Sequence, residues 1–246
     1  MGTRPFPAVT VSQFDPEDFM DRLYRGIRKF QETRYKQEAE FFKELGKNQS
    51  PDVLFFTCSD SRVDPNLITQ SKPGELFIVK NVGNIVPPNE TMRKKTCTAA
   101  AIEFAIMKLK VTDVVVCGHS DCGALKALWS DEKELSDMPN LKDWVSTASE
   151  VKDAVMQHSH DTSYKARIEM TEKKYIIQQL DNLKTYPLIA EAVDEEKLRL
   201  HGWYYDIATG VIYAYNPKTN YFEKIECSDR DYHGLCDDPE ECEDIT

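Results

Sequence analysis

An α/β fold, with a mainly parallel β-sheet flanked by helices, is the architecture this sequence predicts, and three observations carry it. VLFFT at 53–57 and DVVVCG at 113–118 are short, continuous apolar runs, the pattern of strands buried on both faces. Between them lies TCTAAAIEFAIMKL, a small-residue helix suited to close packing. Near the end, KLRLHGWYYDIATGVIYAY reads as two strands joined around Ala208-Thr209-Gly210, an antiparallel extension of the sheet.

Taken in order, residues 15–47 read as a long N-terminal helical arm. Phe19, Leu23, Ile27 and Phe30 recur every three or four positions, and Asp15-Pro16-Glu17 is a start signal. KNQSPD breaks that pattern, and the VLFFT strand follows. ELFIVKNVGN is a second strand running into a Gly/Asn loop. After the small-residue helix, the DVVVCG strand ends at Gly118, and GALKALW opens another helix. Residues 141–184 are mostly helical, ending near LKTYP, and NYFEKIE adds an edge strand beyond the hairpin. Strands alternating with helices imply a parallel sheet.

The chain has 246 residues, 41% of them hydrophobic, enough for one large core. Residues 1–225 are expected to form a single α/β domain, with 1–47 as its arm. Net charge is −11, and residues 226–246 hold nine acidic residues against one Arg. That segment reads as a solvated, disordered acidic tail, and the body is left nearly balanced. No basic face exists for nucleic acid, and no run reaches the roughly 18 apolar residues of a membrane span. Seven cysteines without a visible secretory signal argue for metal binding or core use rather than a disulfide framework. Cys97 and Cys117 read as packing thiols; the role and redox state of Cys227, Cys236 and Cys242 stay open.

Two clusters stand out, Cys58-Ser-Asp60-Ser-Arg62 and His119-Ser-Asp-Cys122. Both follow buried strands, and sites in parallel sheets form beyond the carboxyl ends of strands. His119 and Cys122 lie three apart and can face one point; Cys58 can supply a third ligand. Two thiolates and an imidazole suit zinc, and three protein ligands leave a fourth position for water. The HxxC pair alone is a weak signal; joined to CxDxR it is a strong one. Asp121 reads as the cap of the following helix.

These residues, with GELFIVKNVGNIVPP, AAIEFA, VVVCGHSDCGALKAL and LHGWYYDIATG in the same order, resemble the β-class carbonic anhydrases over most of residues 45–215. FMDRLYRGIRKFQ and WYYDIATGVIYAYNP resemble animal-type members. The resemblance implies a parallel sheet with flanking helices, an N-terminal helical arm and a homodimer or larger assembly. It also implies one zinc ion per subunit on Cys58, His119 and Cys122, and reversible hydration of carbon dioxide to bicarbonate through zinc-bound hydroxide. On that reading Asp60 orients the nucleophile and Arg62 fixes Asp60. Gln49 stands where plant-like members carry a substrate-binding Gln, and Phe77, Val82 and Phe104 would line the apolar pocket. Phe104 replaces a Tyr of plant forms, so no role of that hydroxyl carries over. Members with a closed, allosteric site carry Trp and Arg where this chain has Phe55 and Lys80, so an open site is expected at neutral pH.

The rival on the same scaffold is a hydrolase of CS2 or COS, and from another class, a noncatalytic zinc-stabilised module with four protein ligands. Thiol redox chemistry is disfavoured by the lack of CxxC. No membrane or nucleic-acid partner is expected. Animal-type relatives point to mitochondria, but acidic residues at 15, 17, 18 and 21 oppose a basic presequence. The expected location is therefore the cytoplasm, with the mitochondrial matrix as the alternative.

Overall fold

The computed structural model describes residues 19–89, 96–131, 133–157 and 162–226. The start signal at 15–17, His158, His160, His233 and the tail cysteines 227, 236 and 242 lie outside the described residues. The chain divides into two units, residues 1–49 and 50–246.

In the first unit the expected continuous helix is three: α1 (Phe19–Glu32), α2 (Arg34–Gln37) and α3 (Ala39–Leu45). The first break falls at Thr33, whose hydroxyl donates to the Lys29 carbonyl at 2.7 Å, a back-bond that competes with the helical ladder. Across the breaks Tyr35 stacks on Phe42 and Phe30 meets both edge-on, at 5.1–6.0 Å between ring centroids. The apolar period of α1 is real, yet Phe19, Leu23, Ile27 and Phe30 are all exposed.

The second unit is built on a six-stranded sheet. Its strands are β1 (Val53–Cys58), β2 (Leu76–Asn81), β3 (Asp113–His119), β4 (Arg199–Tyr205), β5 (Ile212–Asn216) and β6 (Tyr221–Lys224). They lie in the order β2-β1-β3-β4-β5-β6. The first four are parallel, and β5 and β6 are antiparallel additions at the far edge. This is the predicted fold class, including the hairpin. The chain leaves β1 for β2 on one side and returns to place β3 on the other. The β1/β3 boundary is thus the switch point, where a crevice opens beyond the carboxyl ends.

Helices follow each of the first three strands. α4 (Pro65–Thr69) is capped by Asp64, whose carboxylate accepts the Asn66 and Leu67 amides. α5 (Cys97–Glu103) starts at Thr96 and widens into a π-helical turn, Phe104–Leu109. α6 (Gly123–Ala127), α7 (Pro139–Ser146) and α8 (Ser149–Met156) lead to α9 (Tyr164–Lys184) and α10 (Pro187–Asp194). α5 buries Thr98 and Ile102, one turn apart, so Cys97 faces outward; it is exposed, not the packing thiol expected. Cys117 is fully buried, and burial pushes its thiol up to about 12.

The main core joins Leu54, Phe56, Val114 and Val116 of the sheet to Ile176, Leu180 and Leu183 of α9. α9 sits very close because β3 and β4 each present a glycine beneath it. A Cβ at Gly118 would lie 2.8 Å from Ile176, and one at Gly202 would lie 3.0 Å from both Ile176 and Leu180. On the opposite face Phe55 meets Trp203 edge-on at 5.8 Å, with Val115 and Cys117 alongside.

Candidate metal centre

Register explains how the two clusters meet. Thr57 of β1 pairs with Cys117 of β3, and the Thr57 hydroxyl donates to the Cys117 carbonyl at 2.9 Å. Cys58 is one residue further along β1 and His119 two further along β3. Neighbouring strands lie roughly 4.8 Å apart, so both side chains reach the same crevice. The turn after His119 then brings back Cys122. The donor atoms of Cys58, His119 and Cys122 all lie within 4.8 Å of one another, and all three residues are buried.

The donor set fits a zinc ion on two counts. The chemistry is that of two thiols and an imidazole. His119 is also poised: Nδ1 donates to the Ser120 carbonyl at 2.9 Å, which leaves the lone pair on Nε2. That Nε2 is buried with no hydrogen-bond partner, an unsatisfied acceptor on a ring whose ligand atom lies within 4.8 Å of both sulfurs. A hydrogen bond from Cys122 is the chief force holding the Cys58 thiol well below its usual range, and the same contact pushes Cys122 up. The Gly83 amide also donates to Cys58 Sγ at 3.3 Å, from a turn that Gly83 enters at a φ of 81°.

Asp60 and Arg62 stand at the mouth of this cluster. The guanidinium grips the carboxylate with both prongs, Nε to Oδ1 at 2.9 Å and Nη2 to Oδ2 at 2.8 Å, and the Arg62 amide adds 3.0 Å to Oδ1. The Arg62 hydrogen bond holds the Asp60 carboxyl far below the usual carboxylate range. Oδ2 lies 3.8 Å from His119 Nε2. Arg62 also reaches the second ligand loop, donating to the Asp121 carbonyl at 3.2 Å. Lys80 steadies the first loop by donating to the Val63 carbonyl at 2.6 Å.

Asp121 does not cap α6. Its carboxylate turns instead to Lys126 and Arg62, and the N-cap residue is Cys122, without a side-chain cap bond. Asp121 occupies the left-handed region at φ 63°, which draws the chain tightly from His119 to Cys122.

The structure thus brings together Cys58, His119, Cys122, Asp60 and Arg62. Val82 is exposed beside Gly83, and its carbonyl accepts from Trp144 Nε1 at 2.7 Å. Phe77 and Phe104 pair with each other at 5.8 Å, and Phe77 sits four residues before Asn81, the register partner of Cys58. Gln49 belongs to the first unit, where it is exposed. The residue that the sequence reading passed over is Glu172, a buried carboxylate on α9 that accepts the Cys122 amide. Its signal was present: it falls four residues from both Ile168 and Ile176, an acidic residue in the stripe that the helix buries.

Comparison with known proteins agrees with this geometry. The family profile described as "Carbonic anhydrase" matches residues 53–212. Carbonic anhydrase of Helicobacter pylori strain J99 is 38% identical over 206 residues, covering 82% of this chain and 93% of that protein. Carbonic anhydrase of Pseudomonas aeruginosa is 41% identical over 206 residues, covering 84% and 92%. Among solved structures, the β-carbonic anhydrase CcaA superposes with a TM-score of 0.81 at 37% identity, over 85% of this chain and 100% of its own. A tetrameric β-carbonic anhydrase of Sordaria macrospora gives 0.71 at 27% identity, over 85% and 97%. Sequence, fold and donor set agree, and the chain belongs to the β-class carbonic anhydrases.

Proposed function

We propose that this carbonic anhydrase hydrates carbon dioxide reversibly at the Cys58–His119–Cys122 centre, with Asp60 and Arg62 as its working dyad. Those three side chains would hold a zinc ion, which when bound would supply Lewis acidity for chemistry near neutral pH. Asp60, kept ionised by Arg62, can only accept hydrogen bonds, so it selects a proton-bearing reactant and turns its lone pair toward substrate. Arg62, bonded to both ligand loops, keeps that carboxylate aimed and away from the metal at neutral pH. Phe77, Val82 and Phe104 are assigned to line an apolar approach for a small linear molecule.

The observation that carries the reading is the unpartnered His119 Nε2 among two thiols, beside an Arg-held carboxylate. Stopped-flow CO2 hydration on protein of measured zinc content tests it. The rate should follow zinc content and vanish on chelation. A metal-free chain of full activity, or turnover of COS or CS2 with negligible CO2 hydration, overturns it.

The finer assignments are an animal-type member, a homodimer or larger assembly, and the cytoplasm, with the mitochondrial matrix second. The exposed apolar stripe of α1 supports assembly, since such a face is costly to leave in water. A monomeric mass in solution sinks the assembly reading, and fractionation of cells expressing the tagged chain decides the compartment.

A further inference from the structure

Glu172 lies in the middle of α9, 2% exposed, on the face that packs against the sheet. A carboxylate placed there is tolerated only when its oxygens are paired, and both are. Oε1 accepts the backbone amide of Cys122 at 2.9 Å, and Oε2 accepts the Tyr204 hydroxyl at 3.0 Å. Cys122 needs such a hold. It follows Asp121, whose backbone is left-handed, and it heads α6, a helix of five residues with no side-chain cap of its own. The oxygen that fixes this main chain therefore comes from another element, 50 residues further along the sequence.

We propose that Glu172 is a positioning residue for the zinc ligands: it clamps the Cys122 main chain so that the thiol is presented beside Cys58 and His119, while Tyr204 holds the clamp's other oxygen. The inference rests on the reading of those three side chains as the zinc set. Glu172 touches neither ion nor substrate. What the role requires is an acceptor oxygen at that reach. α9 supplies the reach because it is seated on Gly118 and Gly202, with Ile176, one turn from Glu172, against both.

The test is zinc affinity of the full chain, by competition with a chromophoric chelator, read beside the absorption spectrum of the cobalt-substituted protein. Glu172→Leu, which removes both acceptors at similar volume, should weaken zinc roughly 10–100-fold and alter the thiolate-to-cobalt bands. Glu172→Gln keeps a carbonyl oxygen at the same reach, and its amide can donate to the Tyr204 oxygen. It should stay within about 3-fold of the natural chain with an unchanged cobalt spectrum. Should Glu172→Leu fail to fold, Glu172→Asp replaces it: one methylene shorter, it should lose affinity where Glu172→Gln does not. Tight zinc in Glu172→Leu, or equal behaviour of Gln and Asp, overturns the inference and leaves the zinc centre standing. A natural chain with no tight zinc overturns the metal reading and this one with it.

Discussion

The sheet carries an aspartate, an arginine and a histidine at each end, and the two sets behave differently. At the amino ends of β3 and β4, Asp113 accepts Nε and Nη2 of Arg199, each at 2.8 Å. At the carboxyl ends, Asp60 holds Arg62 through the same fork at 2.9 and 2.8 Å. The third member separates them. His201 donates Nε2 to Asp113 at 2.8 Å, and Thr112 adds its hydroxyl, so both carboxylate oxygens there are paired twice. His119 stays 3.8 Å from Asp60, with Nε2 unpartnered and two thiols beside it. Matching ion-pair geometry therefore does not mark an active site. An unsatisfied lone pair among soft donors, at the strand ends where a crevice opens, does.

That contrast can be broken by substitution. The largest effect should follow loss of a metal ligand: Cys58→Ala should lower CO2 hydration by about 10³-fold or more, with zinc content falling in parallel by elemental analysis. Asp60→Asn should retain zinc and lose roughly 10²–10³-fold in turnover, the scale of losing one oriented electrostatic partner; near-natural rates would remove Asp60 from the mechanism. At the other end, Asp113→Asn should leave hydration within about 2-fold and lower the thermal midpoint by only a few degrees. A large loss of turnover there would mean the two ends are coupled.

The smallest effect is in the acid limb of stability. Burial alone would raise Asp113, but hydrogen bonds from Arg199, His201 and Thr112 outweigh it and hold the group at about 2, against an ordinary 3.8. The folded carboxyl is thus the harder one to protonate. Its contribution is fully present above pH ~4 and is lost as pH falls toward ~2, because the unfolded chain takes up the proton first. Denaturant titrations of the natural chain and Asp113→Asn should differ by a constant amount above pH ~4 and converge below it. A gap unchanged across that window would show that the ion pair does not set the carboxyl's affinity for protons.

The parts of the fold legible in the sequence were those with long or repeated signals. β1 and β3 announce themselves as unbroken apolar runs, and the hairpin by its Ala208-Thr209-Gly210 turn. α4 was missed because five residues are too few for a helical period, although Asp64-Pro65 is a start signal. α10 was missed because Pro187 reads as the end of α9, when it is also a favoured first residue of the next helix. Cys58, Asp60, Arg62, His119 and Cys122 were found because spacing alone groups them. Arg62's bond to the Asp121 carbonyl and Glu172's bond to the Cys122 amide were not, since a main-chain partner leaves no trace in residue identity. The role of Asp121 was misread for a related reason: a cap and an ion-pair partner can be the same residue type, and only the turn's hand decides.

The notch formed by Gly118 and Gly202 under Ile176 acts as a detent. It gives α9 one depth and one rotational setting, and a densely packed interior passes displacement on rather than absorbing it. A methyl group added at either glycine would lift the helix and swing the carboxylate one turn away out of line with the thiol loop. The tuning of this metal centre is thus partly written in hydrocarbon, at positions that never meet the ion.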